Sequence, residues 1–426
     1  MAVYPYLPAP ASRRFPIRYF LGIHKNKFHI RPGASRLIYS MDTRNADTRE
    51  MDMDMNATIV NVSTQILDIP TIRPHKMSVA TMHNQCLVLV RIKTSDGIEG
   101  IGEATTIGGL NYGGESPESI KTNIDRYFAP LITGQSATRL ASLRQRINKT
   151  IKDNRFAKCA IETALYDAHA KRLGVPLHAL FGGAIHDEIS VAWTLASGDT
   201  QKDIAEAQQM LESRRHCIFK LKVGMRAPKD DLQHIRAIKK AVGDDVSIRI
   251  DVNQGWSETE ALRQLRPLAD AGVDLIEQPI HEKNLAGLQR LTAQGIVPIM
   301  ADESLKGTED GFALASAHCA NVFAIKIEQA GGLQNARDLI GIAQAADIAL
   351  YGGTMLEGSI ATIAAAHLFS TISKLEWGTE MFGPLLLKDE ILATPLDYSD
   401  FTLKIPTGPG LGVELDEEKV SFYTRP

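Results

Sequence analysis

Lys220 and Lys222 stand two residues apart in Phe219-Lys220-Leu221-Lys222-Val223-Gly224, and Asp251, Glu277, Asp302 and Lys326 follow at intervals of 24 to 29 residues. Each of these charges closes a short apolar run of β character. Three carboxylates brought together repel one another and hold their protons more tightly, unless a hard divalent cation with oxygen ligands lies between them. Asp251, Glu277 and Asp302 are therefore read as ligands of one Mn²⁺ or Mg²⁺ per chain; the alternative for a lone Asp after a strand is a helix N-cap. Residues i and i+2 of a strand face the same side, so Lys220 and Lys222 point together beside the cation. Crowding by a second ammonium group and a metal ion weakens a lysine's hold on its proton, which suits it to proton transfer near neutral pH. Lys326 faces the same place from the other side.

An interval of this length holds one strand and one helix. In a (β/α)₈ barrel the C-terminal ends of successive strands converge on one mouth, where active sites lie. The spacing predicts eight such strands over residues 189–195, 219–223, 247–252, 274–278, 299–302, 322–327, 348–352 and 374–378, with helices such as 230–242 and 258–271 between them. Upstream, residues 59–67, 85–94 and 98–104 read as strands, the last two joined by the hairpin turn Ser95-Asp96-Gly97. Helical stretches follow over 117–131, 137–151 and 157–173, the last stopped by Gly174 and Pro176. Residues 57–185 thus form an α+β module, 186–385 a barrel, and 386–426 an extended C-terminal segment. Four glycines in residues 105–115 make a mobile lid loop. Residues 1–56 have no acidic residue before Asp42 and carry several arginines, as a transit peptide does, but their amphipathic period is poor; an upstream start or a disordered extension is expected.

A chain of 426 residues with 44% hydrophobic and 23% charged side chains buries a full core, and its net charge of −3 argues against a nucleic-acid partner. No apolar run reaches the ~18 residues that would span a membrane. Cys86, Cys159, Cys217 and Cys319 are scattered through apolar contexts and are expected as free thiols of a reducing cytoplasm. His75, His83 and His367 have no carboxylate motif beside them and read as ordinary polar or packed residues. Glu303, next to Asp302, points to the other side of its strand, and Glu357 begins a helix.

The set of Lys-x-Lys, Asp, Glu, Asp and Lys on successive strands resembles the enolase superfamily, in particular its muconate-lactonizing subgroup. The resemblance spans roughly Ile59 to Phe422 and includes Asp68-Ile69-Pro70-Thr71-Ile72-Arg73-Pro74-His75-Lys76, Gly102-Glu103-Ala104-Thr105-Thr106-Ile107-Gly108-Gly109-Leu110 and Trp377-Gly378-Thr379-Glu380. It implies a (β/α)₇β barrel under an N-terminal α+β capping domain, to which the C-terminal segment returns. It also implies metal-dependent, reversible cycloisomerisation of cis,cis-muconate to muconolactone through an enolate, in the β-ketoadipate route of aromatic catabolism. Lys222 would carry the α-proton, Lys220 would lower its pKa and contact a substrate carboxylate, and Lys326 would lend electrostatic support. Glu380 would be a catalytic partner opposite the lysines, and Ile107, Tyr112 and Asn253 would touch substrate. The implied partners are a small dicarboxylate and further copies of the chain, as an octamer. Chloromuconate is the nearest alternative substrate. A dipeptide epimerase would need an Asp-x-Asp pair where Gly378-Thr379-Glu380 stands, and an o-succinylbenzoate synthase would not keep this lid sequence.

Overall fold

The computed structural model describes residues 56–76 and 81–426. The expected leader, residues 1–56, lies outside the described residues except for Asn56. β1 (Ile59–Lys76), β2 (Thr81–Thr94) and β3 (Glu99–Thr106) form an antiparallel sheet in that order. The β2–β3 turn uses Gly97 at φ 82°, a conformation glycine adopts without strain. The helix Arg155–Leu173 lies on β3 at very short range, because Gly100 and Gly102 carry no side chain there. A Cβ at Gly100 would sit 2.0 Å from Ala164 O, and one at Gly102 2.0 Å from Ala160 O. The stretch expected as one helix over 117–131 is Pro117–Asn123, a widened turn Ile124–Phe128 and a last turn Ala129–Ile132.

The residues expected as the first barrel strand divide in two. β4 (Glu188–Ser190) pairs antiparallel with Thr402–Lys404 near the C-terminus, whereas β5 (Trp193–Leu195) pairs parallel with the next strand. There follow β6 (Ile218–Lys222), β7 (Ser247–Asp251), β8 (Val273–Glu277), β9 (Ile299–Ala301), β10 (Val322–Ile325) and β11 (Ala349–Gly352). Strands β5 to β11 make one curled parallel sheet in sequential order. Apart from the charged residues, most of their residues are apolar and buried, as a parallel sheet covered by helices requires. The short strands β12 (Tyr398–Ser399) and β13 (Thr402–Lys404) complete a small sheet with β4.

No regular strand forms over 374–378; the backbone turns at Gly378, φ 63°, and isolated bridges form at Thr379. There Gly352 N donates to Gly378 O at 3.0 Å and Glu380 N to Gly352 O at 2.8 Å, on the β11 side. On the other side Thr379 N donates to Ser190 O at 2.9 Å and Ala192 N to Thr379 O at 2.7 Å. One short segment thus bonds to the end of β11 on one side and to the residues just before β5 on the other.

The connecting helices are capped by residues other than the predicted site acids. Asp199 caps Thr200–Glu212, Ser257 caps Glu258–Asp270 and Asn284 caps Leu285–Thr292, each through side-chain bonds to backbone N–H groups. Asp251 and Glu277 are left free of that duty. Between Asp302 and the helix Thr308–Ser316 the cap position is Gly307, so Asp302 is not a cap either.

Candidate active site

Parallel register brings the charges to one level. Lys222 is the Cα partner of Asp251, and Asp251 of Glu277. Asp302 and Lys326 immediately follow β9 and β10, and Glu380 lies in the segment that bonds to Gly352 and to Ser190 and Ala192. Lys220, Asp251, Glu277, Asp302, Lys326 and Glu380 are buried, and Lys222 is partly so. Together with Ile107, Tyr112 and Asn253 they line one cavity of about 20 Å³. Every residue picked from the sequence as catalytic, metal-binding or substrate-binding therefore meets at one spot.

The charges pair in a definite pattern. Lys222 Nζ lies 2.5 Å from Asp251 Oδ2 and 3.3 Å from Asn253 Oδ1. Lys220 Nζ donates to Glu277 Oε2 at 2.8 Å and to Glu380 Oε2, and stands 3.7 Å from Asp251 Oδ2. Lys326 Nζ donates to Asp302 Oδ2 at 2.8 Å and to Tyr112 Oη at 2.9 Å, and Tyr112 donates to Asp302 Oδ2 at 2.6 Å. Thr194, the register partner of Lys220, donates to Glu380 Oε1 at 2.7 Å and fixes that carboxylate. The chain leaves the strand ends through Asn253 and Gln254, φ 43° and 65°, and Gln278, φ 32°. Non-glycine residues in the left-handed region are uncommon, and such strain gathers at functional sites. Gln278 Oε1 in turn accepts from Asp302 N at 3.0 Å and Ser304 N at 3.2 Å, and Gln329 Nε2 donates to Asp302 O at 2.7 Å.

Protonation follows from this pairing. Burial alone would raise Asp251, but Lys222 and Lys220 outweigh it and hold the carboxyl at about 2. Glu277 is raised well above the usual range by burial and then by Asp251, against the pull of Lys220. Burial and the neighbouring Asp302 push Glu303 up to about 8. Among the protein's own groups, burial opposes the charge of Lys220, yet Glu277 and Glu380 raise its pKa above the ordinary value, and Asp302 does the same for Lys326. Carboxylates outnumber ammonium groups here, so the net field favours the cationic lysine.

Among the described residues, no three acidic, histidine or cysteine side chains are gathered closely enough to hold a metal ion. Asp251, Glu277 and Asp302 share the cavity but each is turned toward an ammonium group. As a donor set they fit a hard divalent cation: three buried carboxylates, all oxygen, with Asp302 Oδ1 only 2.7 Å from Lys326 Nζ yet accepting no hydrogen bond.

Several residues of the site were not legible beforehand. His75 lines the cavity although its place on β1 gave no spacing signal. Arg249, two residues before Asp251, is buried beneath the site, with its guanidinium 5.3 Å from the Tyr351 ring and 5.2 Å from the Trp377 ring and a 2.6 Å bond to Trp377 O. Thr194 did carry a hint, as the one hydroxyl between Trp193 and Leu195. Outside the cavity, a recess of about 610 Å³ runs between Tyr112, Glu115, Arg155, Gln254, His281 and Lys306. Tyr112 borders both spaces.

Comparison with known proteins agrees with this geometry. The family model "Mandelate racemase / muconate lactonizing enzyme, N-terminal domain" matches residues 60–182, and "Enolase C-terminal domain-like" matches 202–419. Muconate cycloisomerase 1-2 of Acinetobacter lwoffii is 59% identical over 367 residues, covering 86% of this chain and 95% of that protein. A chloromuconate cycloisomerase of Pseudomonas sp. (strain P51) is 45% identical, covering 85% of this chain and 98% of that protein. The crystal structure of muconate lactonizing enzyme from Pseudomonas fluorescens complexed with muconolactone superposes with a TM-score of 0.86 at 56% identity, covering 87% of this chain and all of that one. By sequence and by structure, the chain belongs to the mandelate racemase and muconate lactonizing enzyme family of the enolase superfamily.

Proposed function

We propose that the chain is an isomerase that interconverts cis,cis-muconate and muconolactone with the aid of a divalent metal ion. The observation that carries this reading is the meeting of Lys220, Lys222, Lys326, Glu380 and the acids Asp251, Glu277 and Asp302 in one buried cavity. Unchlorinated muconate is preferred over chloromuconate because relatives acting under the former name are 54 to 59% identical and the latter 43 to 45%. The curled sheet is read as a (β/α)₇β barrel closed by Gly378–Glu380, on the strength of that segment's bonds to Gly352 and to Ser190 and Ala192.

In the forward direction one substrate carboxylate oxygen bonds to the γ-carbon of the conjugated acid, and the displaced electron pair moves onto the second carboxylate as an enolate. Lys222 protonates the carbon beside that second carboxylate and later regains a proton from solvent; in reverse its amine removes the same proton. Asp251, Glu277 and Asp302 would hold a divalent ion, which when bound would supply positive charge where the enolate's negative charge develops. Lys220, oriented by Glu380 and Thr194, contacts that carboxylate, and Lys326 contributes its charge from the opposite face. Asn253 orients Lys222 and touches substrate. Ile107 and Tyr112 close over the bound molecule. Since about 20 Å³ holds roughly one water, the cavity has to widen for a six-carbon diacid to enter, and Tyr112, which borders it and the outer recess, is the side chain proposed to move. Mn²⁺ or Mg²⁺ are the ions of choice for an all-carboxylate site.

A cytoplasmic homo-oligomer, an octamer by family resemblance, is the proposed setting; the four cysteines are free and no helix among the described residues is long and apolar enough to cross a membrane. Lactone formation from muconate, followed with added Mn²⁺ and again with a chelator, tests the function. Turnover that needs the ion supports it; turnover untouched by exhaustive chelation, or none with any ion, overturns it.

A further inference from the structure

His75 reaches the cavity by a route of its own. β1 bulges out of register with β2 between Pro70 and His75, and pairing resumes at His75 with Met82. Arg73 fastens the bulge to the parallel sheet: its Nε and Nη2 lie 3.1 and 2.9 Å from Glu206 Oε1, and Nη2 is 3.1 Å from Thr194 O. Lys388 N also donates to Pro70 O at 2.9 Å. His75 then projects among Lys222, Lys220 and Glu380 with 1% of its surface exposed, and its Nδ1 has no hydrogen-bond partner. A buried ring nitrogen without a partner is costly and uncommon in folded proteins. Burial, then the nearby Lys222, Arg73 and Lys220, keep the imidazole neutral. A neutral imidazole still carries one N–H.

The proposed substrate has two carboxylates, and the lysines and the metal serve only the one that becomes the enolate. We propose that His75 is a substrate-orienting residue whose ring N–H donates to one oxygen of the other carboxylate, the one that attacks, leaving its second oxygen free to close the ring. When the lactone forms, the oxygen held by His75 becomes its carbonyl oxygen and the hydrogen bond persists. His75 moves no proton in this step. The proposal rests on the cycloisomerase reading and is tested separately from it.

Muconolactone in deuterated water separates the two events. Exchange of the hydrogen beside its free carboxylate requires Lys222, whereas ring opening also requires the departing carboxylate to be held. His75→Phe, which removes the donor at similar size, is expected to slow ring closure and opening about 10- to 100-fold, the loss of one hydrogen bond to a charged group. Exchange per bound lactone should stay within about threefold of the parent by the same token, since that bond is not used in exchange. His75→Gln keeps an N–H and should recover most of the ring-closure rate, and His75→Leu is a second variant without a donor should His75→Phe fold poorly. Ring closure unchanged in the donor-less variants, or exchange and closure falling together, overturns the role. A parent chain with neither activity would instead overturn the function itself.

Discussion

At the scale of single residues, the site is a balance of charges that the strands force together. Removing one carboxylate shifts that balance in a measurable way. Asp251→Asn takes away an oxygen of the proposed ion site and the partner of Lys222, so Mn²⁺ affinity by calorimetry should fall by at least about tenfold, while the circular dichroism spectrum stays that of the parent. Unchanged affinity would remove Asp251 from the ion's ligands. Tyr112→Phe keeps the ring over Lys326, whose Nζ is 4.9 Å from the ring centre, but loses the bonds to Lys326 and Asp302. Its expected effect is a KM raised about 3- to 10-fold, the value of one or two partly compensated hydrogen bonds, with a smaller change in kcat. A fall in kcat with KM unchanged would mean that Tyr112 acts in the chemical step. The lysines and acids were legible because each ends an apolar run, where an unpaired charge would be costly. His75 and Arg249 were not, since one arrives from another module and the other sits inside its strand with only aromatic rings and a carbonyl as partners.

At the scale of elements, strand ends were easier to read than strand partners. Residues 189–195 look like one strand because the apolar alternation runs on, but Glu188–Ser190 is taken by Thr402–Lys404 from more than two hundred positions downstream, a pairing that no local pattern announces. The stretch 374–378 differs from the expected strand for another reason: Gly378 at φ 63° turns the chain, and the bridges form at Thr379. The contact of β3 with Arg155–Leu173 depends on two absent side chains. Gly102→Ala would drive a Cβ against Ala160 O and should cost about 1–3 kcal/mol, as overpacking does, visible as a lower denaturant midpoint. A midpoint unchanged within error would show that the helix can shift aside. Across the same boundary, Glu162 on this helix accepts from Gln334 N at 2.9 Å, and burial raises its carboxyl to about 7 against that bond and the pull of Arg144. Between the unfolded value near 4.5 and about 7 the native chain holds a proton that the unfolded chain has lost, so this group makes stability fall as pH rises through that window, by at most about 1.4 kcal/mol per pH unit. Glu162→Gln removes the titration. Its melting temperature should gain on the parent from pH 5 to pH 8; a constant difference would mean that Glu162 is ionised throughout.

At the scale of the whole molecule, the cavity is a joint product. The parallel sheet supplies the lysines and acids, whereas Ile107, Tyr112 and His75 come from the N-terminal α+β unit. The even intervals along the sheet could be counted from the sequence. The docking of the N-terminal unit could not, because it depends on Arg73 with Glu206, Glu162 with Gln334 and Arg425 with Asp68, pairs far apart in the chain. The assembled site makes one claim above the others, that Lys222 carries the proton between solvent and the carbon beside the substrate's carboxylate. General acid and base transfer contributes about 10²–10⁴ in rate, so its loss is not subtle. The direct measurement is NMR of muconolactone with the chain and Mn²⁺ in deuterated water. The parent chain should exchange that hydrogen, Lys220→Met and Lys326→Met should retain slow exchange, and Lys222→Met should have none. Exchange that survives in Lys222→Met but disappears in Lys326→Met would contradict the account and make Lys326 the proton carrier.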